Sequence, residues 1–512
     1  MTSRWVVAIT VMLPTFMEIM DTSVVNVSLP HIQGSLNAGL DEVTWVLTSY
    51  LVSNAVIIPI SGWLSGLFGR KRYLLFSVCL FVGSSILCGA ATSLNVLIIA
   101  RSLQGIGGGG LQPLSQAILL ESFPQEEHGV AMAFFGMGVV MAPILGPVVG
   151  GWITDHWNWR WIFYINFPMG ILAVILITFL IQDPPYIRQK RRHRIDRWGL
   201  LFLTVGLGSL QIVLDKGQRD DWFQSHFIVV MTIVAATSLM AFILVEFRTR
   251  NPVVNLRVFR HRSFTAGCVI MFSGFLGLFG TLILLPLYTQ NLMGYTATLA
   301  GFVLGPGGFA AFLIMPLAGI LMKKGVSPRI LLAIGLSLMA WAMWLMSGFN
   351  LKAGFMVISI PRVVLGFGLG LFFVPLSAAT FVNIEKEEMG NASGVFNLLR
   401  NLGGSFGVAV SATLLARRTQ VHQTFLAEHA TPFGRAFKEH THQLNGWLGT
   451  HDTPLTFERG PLAIIYQEVQ RQATMLAFND CFWILAWFVA LLLPLTLIFR
   501  KPEGKIDTDA VL

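Results

Sequence analysis

Arg101-Ser102-Leu103-Gln104-Gly105-Ile106-Gly107-Gly108-Gly109 returns 261 positions later as Arg362-Val363-Val364-Leu365-Gly366-Phe367-Gly368-Leu369-Gly370. Each copy places a cation and three alternate glycines inside an apolar run. The same shift carries Gly129, Ala131, Phe135 and Gly146 onto Gly390, Ala392, Phe396 and Gly407. Earlier in each half, Pro59-x-x-Gly62-x-Leu64 answers Pro316-x-x-Gly319-x-Leu321, and Leu29-Pro30 answers Leu285-Pro286. Order is kept with a drift of a few residues, which marks a long internal repeat.

Apolar runs long enough to cross ~30 Å of hydrocarbon fill the chain from end to end. They begin near Trp5, Val43, Tyr73, Asn95, Gly129 and Trp161, then near Trp198 and Gln224, then near Ser263, Thr298, Pro328, Ala353, Gly390 and Ala473. The repeat matches the first six to the last six and leaves the middle two as an insertion. The expected fold is an all-α polytopic membrane protein with 14 transmembrane helices as 6+2+6. Its parts are an N-terminal six-helix bundle over 1–182, two inserted helices with basic flanks over 183–262, and a C-terminal bundle over 263–512 with a long external loop at about 417–472. Continuous runs without ten-residue alternation exclude an outer-membrane barrel.

Composition agrees: 54% of the 512 residues are hydrophobic and 12% are charged, against about one quarter charged in soluble proteins. The net charge of +9 predicts no nucleic-acid partner, because the cations sit in short loops between apolar runs and not on one solvated face. With the N-terminus inside, the loops holding Arg70-Lys71-Arg72, Arg188 to Arg197, Arg248 to Arg262 and Lys323-Lys324 are all cytoplasmic, whereas short outside loops hold only Arg160, Lys216, Arg219 and Lys352. Both termini are therefore expected in the cytoplasm. The Arg188 to Arg197 cluster is also a candidate for anionic membrane lipid. Cys79, Cys88, Cys268 and Cys481 lie in apolar runs without metal-ligand spacing, so neither a zinc site nor a disulfide frame is expected. The first run shows no small-residue cleavage site and leads into another, so no cleaved leader is expected.

Parallel six-helix repeats about an axis along the membrane normal are the plan of major facilitator transporters, whose substrate site lies between the halves. Four stretches resemble the fourteen-helix drug:proton antiporters of that superfamily, the EmrB/QacA type, and the resemblance covers essentially the whole chain. Helix one reads Asp21-Thr22-Ser23-Val24-Val25-Asn26-Val27-Ser28-Leu29-Pro30; the loop after helix two reads Gly62-Trp63-Leu64-Ser65-Gly66-Leu67-Phe68-Gly69-Arg70-Lys71. Helix four carries Arg101-Ser102-Leu103-Gln104-Gly105-Ile106-Gly107, and helix five carries Gly146-Pro147-Val148-Val149-Gly150-Gly151. The resemblance implies gating roles for Gly62, Gly69, Arg70, Lys71, Gly146, Pro147, Gly150 and Gly151. Gly66 departs from it, standing where the loop usually has an acid that helps lock the cytoplasmic side, so Arg70 and Lys71 are expected to find other acceptors. Gly105-x-Gly107-x-x-Gly110 matches a dinucleotide-binding pattern, but within an apolar span it reads as close helix packing.

An ionisable group inside the membrane must face a cavity or a partner. Glu18 and Asp21 are three apart on one face of helix one, with Thr15, Thr22 and Asn26 near that face. Arg101, Gln104, Gly108, Gln112 and Ser115 form a second stripe on helix four. Counted at ~1.5 Å per residue, Asp21 and Arg101 fall in the same outer half, so ion-pair or water-bridged reach is expected. Burial disfavours a charged carboxylate and a neighbouring guanidinium favours it, which makes Asp21 and Arg101, with Glu18 as a second acid, the proton-coupling candidates. Protons are the expected coupling ion and no cofactor is expected. Asn26, Tyr50, Asn54, Gln104, Gln112, Gln116 and Asn397 are the candidate lining of the substrate cavity. No acid on helix nine answers Asp21, so coupling is expected in the first half, with Arg362 and Arg400 structural. A Phe- and Trp-rich second half suits greasy ligands.

The expected activity is proton-coupled efflux of small lipophilic or amphipathic compounds, drugs included, across the bacterial inner membrane by alternating access. The alternative is a proton-coupled importer or exporter of one metabolite on the same fold; the helix-five Gly-Pro stretch weighs against import. No phosphate-binding GxxxxGK[ST] loop supports nucleotide-driven export, and no nucleophile-base or metal grouping supports an enzyme. The polar segment after Arg417 is expected outside, where in the EmrB-like branch it fits a periplasmic adaptor leading to an outer-membrane channel.

Overall fold

The computed structural model describes residues 3–183, 196–249, 252–430, 434, 437–439, 441–443 and 454–499. Of the basic residues in the loops named for topology, Arg188, Lys190, Arg191, Arg192, Arg194 and Arg250 lie outside them. Every regular element among the described residues is a helix, as lipid demands of a chain that must satisfy its backbone internally.

The main helices are α1 (Arg4–Ser35), α2 (Trp45–Phe68), α3 (Arg70–Gly89), α4 (Leu94–Gly108), α5 (Leu111–Ser122), α6 (His128–His156), α7 (Asn166–Leu180), α8 (Arg197–Lys216) and α9 (His226–Arg248). They continue with α10 (Arg262–Leu287), α11 (Ala297–Lys323), α12 (Pro328–Met346), α13 (Phe355–Thr380), α14 (Met389–His429) and α15 (Pro454–Ala490). Among the described residues 13 helical segments are long and apolar enough to span a bilayer. α4 and α5 are each too short and follow one another through Gly109 and Gly110.

Local chemistry sets several boundaries. Ser93 Oγ accepts the Val96 N–H at the start of α4, Asp196 Oδ1 accepts the Gly199 N–H at 2.9 Å before α8, and Pro328 opens α12. Gly69, at φ +89°, turns the chain between α2 and α3 in a conformation that disfavours any side chain.

Packing repeats as the sequence does. α1 packs on α6 and α7, α2 on α4, and α3 on α4 and α7; α10 packs on α14 and α15, α11 on α13, and α12 on α13 and α15. The halves meet where α6 lies against α11 and α13, and where α14 lies against α2 and α5. α8 and α9 pack on each other, and α8 touches both α2 and α14.

The expected external loop at about 417–472 is helical at both its ends. α14 runs for 41 residues and α15 for 37, so residues 417–429 and 454–472 are helical. At ~1.5 Å per residue both helices outrun the hydrocarbon. The stretch from Arg417 to Glu428 has no Gly or Pro and is rich in residues that accept helix. Asp480 on α15 receives Arg418 and His422 of α14, each at 2.6 Å, which ties the extension of α14 to α15.

At the end carrying Arg70 and Lys323, here the basic end, the halves are in close contact. A methyl group on Gly62 would fall 2.5 Å from the Gly390 carbonyl oxygen. Glu127 joins Arg4 at 2.5 Å to Lys323 at 2.9 Å, and Gln125 donates to the Val382 carbonyl at 2.7 Å.

Candidate functional site

The two polar stripes face each other across the first bundle in antiparallel register. Thr15 donates to Ser115 Oγ at 2.8 Å, Gln112 Nε2 donates to Glu18 Oε2 at 2.5 Å, and Arg101 Nη1 meets Asp21 Oδ2 at 2.7 Å. Glycine permits this fit: a Cβ on Gly108 would stand 3.2 Å from Glu18 Cγ and 2.8 Å from the Tyr50 hydroxyl. The glycines flanking it, Gly105 and Gly109, press on the backbone of α2 at Tyr50 and Asn54.

Asp21 and Arg101 form a fully desolvated ion pair, with both side chains at 0% exposure. Gln104 Nε2 at 3.0 Å and Asn166 Nδ2 at 2.6 Å both donate to Asp21 Oδ1. Arg101 also donates to Gln104 Oε1 at 2.7 Å and to the Val46 carbonyl at 3.1 Å, and its guanidinium lies 4.2 Å from the centre of the Tyr50 ring. Such hydrogen bonds help a pair persist in a low-dielectric interior; Arg101 Nη2 alone of the guanidinium nitrogens is left without a hydrogen-bond partner among the described residues.

Glu18 sits one turn toward the basic end, buried and held chiefly by neutral donors: the Tyr50 hydroxyl at 2.9 Å, Asn54 Nδ2 at 3.2 Å and Gln112. Gln112 turns its other face to the second half, where its Oε1 accepts from Arg400 Nη2. Beside it, Gln116 Oε1 accepts from Asn397 Nδ2 at 2.5 Å and Ser393 Oγ at 3.1 Å. One polar seam therefore runs from Asp21 through Glu18 to α14.

The other candidates separate. Asn26 is exposed and joins none of these hydrogen bonds among the described residues, because five residues past Asp21 is ~140° around the helix. Gly146 and Gly150 press on Ser23 and Val24 of α1 where a Cβ would not fit, so they seat α1 beside α6; Pro147 lies between them inside α6, and Gly151 has nothing within 4 Å. Arg70 pairs with Glu121, while Asp183 Oδ1 accepts the Lys71 backbone N–H at 2.9 Å and Lys71 Nζ donates to the Thr178 carbonyl at 2.5 Å. Two acids from elsewhere in the chain thus meet the loop that lacks one at Gly66.

Asn166 was missed by sequence reasoning, and so were Glu121 and Asp183. A lone Asn opening the apolar run of α7 is the only signal that Asn166 gives. Ser85 receives its second amide proton at 3.0 Å.

Residues 11–408 match the family model of the Major Facilitator Superfamily. The chain is 39% identical to the multidrug export protein EmrB of Haemophilus influenzae over 96% of its length and 94% of the relative's. It is 35% identical to the multidrug export protein EmrB of Escherichia coli over 98% and 96%. The solved proton:xylose symporter XylE superposes with a TM-score of 0.61 at 16% identity, covering 97% of this chain and 99% of that one; that likeness speaks for the fold alone. The chain belongs to the major facilitator superfamily and is a multi-pass membrane transporter, not an enzyme.

Proposed function

From that membership we propose that the protein exports small lipophilic or amphipathic compounds, drugs among them, across the bacterial inner membrane in exchange for protons. The observation that carries this reading is the buried seam in which two acids and Arg101 of the first half are joined, through Gln112, to Arg400 of the second. The export proteins at 35–39% identity support the direction of transport and the breadth of cargo. In this reading α4 and α5 count as one broken crossing, giving fourteen as 6+2+6 over 1–182, 183–262 and 263–512, with both termini cytoplasmic. The helical extensions of α14 and α15 then stand in the periplasm, where an adaptor leading to an outer-membrane channel would dock.

Coupling follows from hydrogen-bond direction. Gln112 offers its amide N–H to the Glu18 carboxylate and its carbonyl to Arg400. A proton on Glu18 Oε2 turns that acceptor into a donor, so the Gln112 amide must flip. Its NH2 then faces the guanidinium, donor against donor, and the bond across the halves is lost. A proton on Asp21 acts in the same sense by removing the negative half of a buried pair. Cargo that favours the deprotonated arrangement competes with protons through differential affinity for the two states.

The test is proton release from purified, reconstituted protein on adding a lipophilic compound, together with dye export driven by an imposed pH gradient. Both are expected in the wild type; export indifferent to the gradient would sink proton coupling. Gln112→Leu removes two hydrogen bonds to charged groups at ~1.5–3 kcal/mol each, so gradient-driven export should fall at least ~10-fold. Unchanged export by Gln112→Leu would dismiss the relay and leave the rest of the reading standing.

A further inference from the structure

Four arginines are buried among the described residues, Arg70 at the start of α3, where it pairs with Glu121, and Arg101, Arg362 and Arg400 farther inside their helices, and they differ in what meets them. Arg101 is paired with Asp21, and Arg400 donates to Gln112. Arg362 on α13 is only 7% exposed, yet among the described residues no acid lies within ion-pair distance of it, and its Nε and Nη1 have no hydrogen-bond partner. Ser359, one turn earlier on the same helix, is 5% exposed and its hydroxyl is likewise unmet. Residues three apart share a helix face, so a guanidinium and a hydroxyl stand together with free donor capacity.

The internal repeat sharpens the contrast. Arg362 answers Arg101, but the position answering Asp21 lies near Gly277, and α10 contains no Asp or Glu at all. A buried charge or polar group without a partner is costly and persists where something else repays it. α11 and α13 approach closely at this level: a methyl group on Gly307 of α11 would fall 2.5 Å from the Arg362 carbonyl oxygen. The helix around it is apolar, with Ile358, Leu365 and Leu369 all buried.

We propose that Arg362, assisted by Ser359, is the headgroup site for amphipathic monoanions, so that the cargo supplies the negative charge which Asp21 supplies to Arg101. This rests on the export reading and narrows it to compounds with one carboxylate, sulfonate or similar group on an apolar body. A planar guanidinium suits such groups because it can donate two parallel N–H bonds to two of their oxygens.

The full-length protein in discs of phosphatidylcholine, which bring no lipid anion, would be tested for binding of decanesulfonate and decyltrimethylammonium, two permanently charged probes with the same chain. Wild type should bind the sulfonate at least ~10-fold more tightly, and Arg362→Gln should erase that preference, as expected when one member of a buried charged contact is removed. Arg362→Lys should keep part of it. Equal affinity for the two probes in wild type, a measurement that needs no variant to fold, would overturn the inference, as would an undiminished preference in Arg362→Gln. Loss of the preference on adding phosphatidylglycerol would give the site to a lipid headgroup and overturn its assignment to cargo. Export of an uncharged dye by the same purified wild type reconstituted into sealed phosphatidylcholine vesicles separates the two readings: if it proceeds while the discs show no sulfonate preference, only this inference fails, and if it is absent, the export reading fails.

Discussion

Asp21→Asn should abolish accumulation of dye against its gradient while leaving downhill movement of dye measurable. The substitution keeps an oxygen for the amide protons of Gln104 and Asn166 but removes the only acid paired with Arg101 among the described residues. Leaving one member of a buried ion pair alone costs ~3–5 kcal/mol, so thermal stability should drop as well. Instability and lost coupling are separated by Asp21→Asn combined with Arg101→Gln. The double variant removes both charges and should recover most of the stability without recovering uphill export. Proton release on cargo addition should fall in both variants by the share that Asp21 carries, leaving only release from Glu18. If Asp21→Asn still concentrates dye under a pH gradient, the proton is carried elsewhere, and Glu18 inherits the role through its contact with Gln112.

Gly62→Val should block closure of the basic end. Its Cβ would meet the Gly390 carbonyl oxygen at 2.5 Å and the Asn391 nitrogen at 2.6 Å. These are backbone atoms of α14, so relief requires the halves to move apart. Overpacking of this kind costs ~1–3 kcal/mol, enough to turn a modestly favoured closed state into a minor one. Export should fall ~10-fold or more. A cysteine placed at Ser65, which is 2% exposed in this closed arrangement, should become reactive to a membrane-impermeant maleimide added from the basic side. Wild-type export by Gly62→Val, or a Ser65→Cys that stays protected in it, would show that this contact is not part of the cycle.

The two substitutions probe features that were unequally legible in the sequence. Asp21, Glu18 and Arg101 announced themselves because charge inside an apolar run is expensive and helical spacing says which charges share a face. Gly62 carried a motif resemblance, but nothing in the sequence named Gly390 as its neighbour. Asn26 shows the limit of reading a face by proximity: it follows Thr22 by one turn yet points away from Asp21. Gly66 shows another limit, since the acids that meet Arg70 and Lys71 are Glu121 and Asp183, from α5 and the segment after α7.

The sequence by itself determined the membrane class, the repeat and the presence of two acids on one face of helix one, because these depend on composition and on periodicity along one chain segment. Only the tertiary structure decided that Asn166 completes the Asp21 cage, that Gln112 spans Glu18 and Arg400, that α14 and α15 extend as helices, and that among the described residues Arg362 alone of the four buried arginines lacks both an acid and a hydrogen bond. Those depend on which face of one helix meets which face of another. That register is set by glycine contacts and side-chain volume summed over the whole bundle, and no local spacing encodes it.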